Sequence, residues 1–214
     1  MEKYIYVIFS STPYKMSKFI RVFTRNFYNH VSISIDPNLE YFYSFARKNK
    51  KAPFYGGFTQ ESRLRFVNKN KYSVIKIAKI PVRKAQYEKV SEILDNMKEN
   101  SDTYIYNTVS AFVSFFGKKV IIKNAYTCVE FVIHLLRNAG IITDIDLYKN
   151  YSIRMLEILL NDFISFKGEI EISHENWGED KFNESKTTVS LVSLQVKSNL
   201  RLIGRYAKNK IRRK

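Results

Sequence analysis

The run Tyr4-Ile5-Tyr6-Val7-Ile8-Phe9 constrains this chain most. Successive side chains of a strand point to opposite faces, so an unbroken apolar run rich in β-branched and aromatic residues reads as a buried strand. It is a poor signal peptide by contrast, being short, preceded by Glu2 and lacking a small-residue exit. A buried strand needs a core around it. The 45% hydrophobic content, carried largely by 15 Tyr and 16 Phe, supplies one and excludes global disorder. Seven Gly and four Pro exclude collagen-like and low-complexity classes.

Periodicity along the rest of the chain predicts an α+β domain, a small antiparallel sheet or partial barrel packed against helices. Thr12-Pro13 opens a helix over residues 14–27, with Met16, Phe19, Ile20, Phe23 and Phe27 at helical spacing. His30 begins a strand alternating through Val31, Ile33 and Ile35, turned by Asp36-Pro37-Asn38 into a second strand, Glu40–Ala46. Lys48–Lys51 and Gly56-Gly57 read as a mobile basic loop. Strands are expected at Arg63–Val67 and Tyr72–Ile80, then a helix over 83–100 and a helical segment over 104–116. A short strand at Val120–Lys123 and helices at Tyr126–Ala139 and Ser152–Phe163 follow. The expected organisation is a folded domain over 1–166, an acidic irregular segment over 167–186 and a basic amphipathic helix over 187–214.

The formal net charge of +16 is unevenly spread. Eight bases and no acid lie between Lys197 and Lys214, whereas the preceding residues hold 28 bases and 20 acids. From Glu169 to Glu184 there are six acids and one base, Lys181. A chain this basic expects a polyanion nearby.

Cys128 is the only cysteine, so an intrachain disulfide and a Cys-based zinc site are both excluded. It falls at the first turn of the helix that Tyr126-Thr127 introduces, where unpaired N–H groups and the helix dipole favour thiolate. His30, at a strand start, is the histidine placed to strip a proton from such a thiol. His134 lies six residues beyond Cys128, about 240° round the helix, and points away. His174 sits among acids, and three scattered His do not make a metal cluster. The chain has no nucleophile elbow, phosphate-binding loop or dinucleotide fingerprint, and no cofactor is expected.

The order of motifs is informative. His30-Val31-Ser32-Ile33-Ser34-Ile35-Asp36 is followed by Tyr43-Ser44-Phe45-Ala46-Arg47 and Gly56-Gly57-Phe58. Tyr104-Ile105-Tyr106-Asn107 and Tyr126-Thr127-Cys128-Val129-Glu130-Phe131-Val132 come next. Over residues 4–165 this resembles the circularly permuted NlpC-like branch of the papain-like fold. That group holds YiiX/YaeF-type amidases and, more distantly, lecithin:retinol acyltransferase. The resemblance implies a cysteine hydrolase, amidase or acyltransferase acting on a peptide or lipid acyl bond. Cys128 would be the nucleophile and His30 the general base and later acid. A polar residue on the strand after the histidine would orient the imidazole, and strand pairing puts Ser44 nearest that place, with Glu40 as the alternative. Ser44 departs from the carboxylate, amide or imidazole usual there. Val129 stands where a small residue is common.

In the C-terminal segment Val192, Val196, Leu200, Ile203, Ala207 and Ile211 fall on one helical face and cations on the other. Two placements follow: the apolar face docks on the body with its cations solvated, or residues 189–214 lie on an anionic membrane surface. Nucleic acid is the weaker partner, since Tyr206 is the segment's single aromatic. The expected location is cytoplasmic, peripheral at a membrane where the tail engages one. An alternative to the enzyme is a nonenzymatic binding module using the same basic surface.

Overall fold

The computed structural model describes residues 2–11, 26–62, 65, 72–171, 182 and 184–211, with the backbone alone at 72, 73, 170, 171 and 211. Its centre is a six-stranded antiparallel sheet in the order β4-β3-β2-β1-β5-β8. The apolar run at the N-terminus is β1 (Lys3–Ser10), and it lies inside the sheet between β2 (His30–Ser34) and β5 (Tyr72–Val82). Strand β3 (Tyr41–Arg47) extends the sheet beyond β2 and pairs with β4 (Gly56–Ser62) over seven residues. Strand β8 (Ile164–Glu171) closes the other edge on β5.

One face of the sheet carries the main core. Ile5, Val7, Phe9, Val31, Ile33, Phe45, Phe58, Ala78 and Ile80 pack there with two helices, α1 (Lys84–Glu99) and α3 (Cys128–Asn138). Helix α1 contributes Val90, Leu94 and Met97, and α3 contributes Phe131, Val132, Leu135 and Leu136, all at helical spacing. The alternate residues Ile8, Phe42, Ile75 and Ile77 form a second cluster, so β1 is buried on both sides as its sequence requires. Between α1 and α3 run β6 (Ile105–Tyr106), helix α2 (Thr108–Val113) and β7 (Ala125–Tyr126), with β6 and β7 paired in parallel. Helix α4 (Ile153–Leu159) precedes β8, and α5 (Thr188–Ile211) ends the described chain.

The structure thus has the expected α+β class, with several departures in detail. Gly56-Gly57 opens strand β4, where a mobile loop was expected. A Cβ on Gly57 would lie 2.3 Å from the Tyr104 carbonyl oxygen, and one on Gly56 2.8 Å from Tyr106 Cβ, so these glycines admit β6 against β4. Residues 104–116 divide into β6, α2 and a 3-10 turn because Asn107 caps α2, its Oδ1 accepting the Ser110 N–H at 3.0 Å. The expected strand at Val120–Lys123 is a single bridge between Ile122 and Ala125. The segment expected to be irregular from residue 167 begins inside β8, which pairs with β5 despite its exposed charges. The helix expected over 14–27, most of the strand at 63–67 and the centre of the acidic segment lie outside the described residues.

Candidate active site

Cys128 is the first residue of α3 and 8% exposed. A capping box sets the start of the helix: Thr127 Oγ1 accepts the Glu130 N–H at 3.2 Å, and the Glu130 carboxylate accepts the Thr127 N–H at 2.7 Å. Ser110 of α2 donates its hydroxyl to the same carboxylate. Glu130 is thereby committed to positioning the helix. Helix α3 packs on β2 and β3.

His30 stands at the start of β2, its side chain 12% exposed. Its Nε2 and the Glu61 Oε2 lie 2.9 Å apart. Glu61, from β4, is fully buried, and its other oxygen accepts a hydrogen bond from Arg65 Nη1 at 2.8 Å. Arg65 also donates to the Arg47 carbonyl at 3.2 Å and lies under the Phe182 ring, its guanidinium carbon 4.5 Å from the ring centroid. The result is a buried chain of alternating charge, His30–Glu61–Arg65, sealed by an aromatic ring.

Electrostatics bind Cys128 into this chain. Burial alone would lower the His30 pKa, but the Glu61 charge, a side-chain hydrogen bond with Cys128 and the charge on its sulfur raise it to about 10. Burial likewise pushes Glu61 upward, and it is overcome by the charges of His30 and Arg65, which bring the carboxyl down to about 2. Tyr106, on β6, is half-buried and feels the charge of the same sulfur. Desolvation, then the Cys128 and Glu130 charges, raise its phenol and keep it in the neutral, donating form.

Electrostatics thus couple Cys128 to His30, the two residues singled out from the sequence. The structure does not bring Ser44 to the ring. Ser44 lies on β3 with its Oγ buried and, among the described residues, without a hydrogen-bond partner. Glu40 is exposed at the turn before β3, its N–H donated to Asp36. The partner of the imidazole is Glu61, one strand further out than expected. Glu61 was missed because Gly-Gly-Phe-Thr-Gln-Glu-Ser lacks the alternation of a strand; its β conformation comes from pairing with β3. His134 turns from Cys128 to pack on Tyr126, its ring 4.9 Å away, and burial followed by the Lys119 charge lowers its pKa. Comparison with protein-family models, with curated proteins and with solved structures gives no match.

Proposed function

We propose that this chain is a cysteine hydrolase or acyltransferase cleaving an amide or ester bond of a peptide or lipid substrate, on the permuted NlpC-like papain-type scaffold its motif order resembles. One observation carries the reading: the His30 imidazole lies 2.9 Å from the buried Glu61 carboxylate, and the charge of Cys128 acts on the same ring. A thiol, an imidazole and a buried carboxylate in that sequence make up the set that nucleophilic acyl transfer uses.

The chemistry runs as follows. Nε2 of His30 faces Glu61, which leaves Nδ1 to take the Cys128 proton. Glu61 fixes the ring and stabilises the imidazolium; Arg65 keeps Glu61 ionised inside the protein. The thiolate attacks the substrate carbonyl carbon, and the oxyanion meets the N–H groups at the start of α3 and the neutral Tyr106 phenol. His30 then protonates the leaving nitrogen or oxygen as the thioester forms. It next takes a proton from water or another acceptor, which releases the acyl group.

Because the chain has a single cysteine, any thioester reports on Cys128. Incubation with p-nitrophenyl esters of short and long acyl chains, followed by acid quench and intact mass measurement, is expected to trap one acyl group on the wild type. Cys128→Ala should trap none and His30→Ala at least about a hundredfold less per unit time. Equal acylation of wild type and His30→Ala, with both folded by circular dichroism, would overturn the proposal.

A further inference from the structure

Helix α5 sits on the body by the face opposite to the one its sequence would bury. Leu191 and Leu202, three turns apart, are 5% and 1% exposed and are its apolar anchors. Polar contacts fix it along the same side. Gln195 accepts the Phe54 N–H at 3.2 Å, Arg205 donates to the Thr103 carbonyl at 2.9 Å, and Asn209 donates to the Ile121 carbonyl at 3.2 Å. The richer apolar stripe is left pointing outward. Val189 is 81% exposed, and Val192, Val196, Leu200 and Ile203 are each more than half exposed. Val189, Val192, Val196 and Leu200 line a shallow groove together with Lys197 and Arg201.

Five cations, Lys197, Arg201, Arg205, Lys208 and Lys210, and no acid occur on the helix. A stripe of that kind must be covered, and charge decides by what. A second copy of a chain carrying +16 would bring like charge against like charge. A nucleic acid would match the cations but would meet Val and Leu at the centre of the contact. An anionic phospholipid surface matches both features, with acyl chains beneath the stripe and phosphates beside the cations. No helix among the described residues is long and apolar enough to cross a membrane, so the contact lies in the plane of the interface.

We infer that α5 is a membrane-docking helix that lays its Val189–Ile203 stripe into the surface of an anionic bilayer while Leu191 and Leu202 keep it attached to the body. This stands independently of the thiol chemistry.

The test is co-sedimentation of the full chain with phosphatidylcholine vesicles with and without phosphatidylglycerol. Binding is expected with phosphatidylglycerol vesicles and should weaken about tenfold or more in the Val196→Ser/Leu200→Ser variant, whose changes are at exposed positions. Lys197→Glu/Arg201→Glu should weaken it by a similar factor. Leu200→Trp gives a second readout: its emission should shift to the blue and be quenched by lipid-borne bromine. No binding to anionic vesicles overturns the inference. So does binding that falls with the charge variant but ignores the serine variant, which would mean counter-ion attraction alone. Concentration-dependent dimerisation abolished by the serine variant would make the occupant a second copy and equally overturn it.

Discussion

Glu61 holds two cations with one buried carboxylate, and removing its charge unbalances both. Glu61→Gln leaves His30 and Arg65 without their anion, which should cost about 3–5 kcal/mol in urea unfolding at neutral pH. The same change takes away the largest influence raising the His30 pKa, so the imidazole should titrate well below about 10 in the variant by NMR. Ser44→Ala should leave acylation of Cys128 unchanged, since its hydroxyl has no hydrogen-bond partner among the described residues; a loss matching that of Glu61→Gln would restore Ser44 to the ring. Linkage gives the pH limits of the cluster. Glu61 has a folded value near 2 against about 4.5 unfolded, so its contribution is present above about 4.5 and disappears as pH falls towards 2. His30 has a folded value near 10 against about 6.5, so its contribution is full below about 6.5 and disappears as pH rises through 10. Thermal melts should therefore decline on both sides of a neutral plateau, and His30→Ala should flatten the alkaline decline. A wild-type melt unchanged from neutral pH to beyond about 10 would contradict the raised imidazole.

Glycine position separates two kinds of element here. Gly57 lets β6 approach β4, and Gly57→Ala would place its Cβ against the Tyr104 carbonyl, so backbone must move. A loss of about 1–3 kcal/mol is expected, together with slower Cys128 acylation because Tyr106 shifts with β6. Gly204, within α5, meets nothing within 4 Å, and Gly204→Ala should raise stability by about 0.5–1 kcal/mol. Thermal melts of the two variants, moving in opposite directions, check both statements. These elements also show what sequence pattern reveals. Strands β1, β2 and β5 and helices α1 and α3 have strong periods and were legible to within a few residues. Strand β4 was not, because tertiary pairing outweighs its polar, glycine-led sequence, and the carboxylate of the site went unseen with it. Cys128 and His30 were legible because a helix start and a strand start are local signals, whereas Glu61 reaches the ring only through the sheet.

Across the whole molecule, the positive charge partitions into a body with a moderate excess and a helix with no acid at all. Sequence period identified the amphipathic α5 but not which face would dock, since that depends on matching Leu191 and Leu202 to the body. The two-residue pair β6–β7 gives this arrangement a consequence for packing. Its Ile105 and Ala125 pack with Leu202 of α5, while Tyr106 and Tyr126, next along each strand, pack against the main core that holds Cys128. The pair is only two residues long, with α5 on one side and Tyr106, whose phenol feels the Cys128 charge, on the other. With so short a ladder between them, the packing of Leu202 and the packing of Tyr106 share one pair of strands.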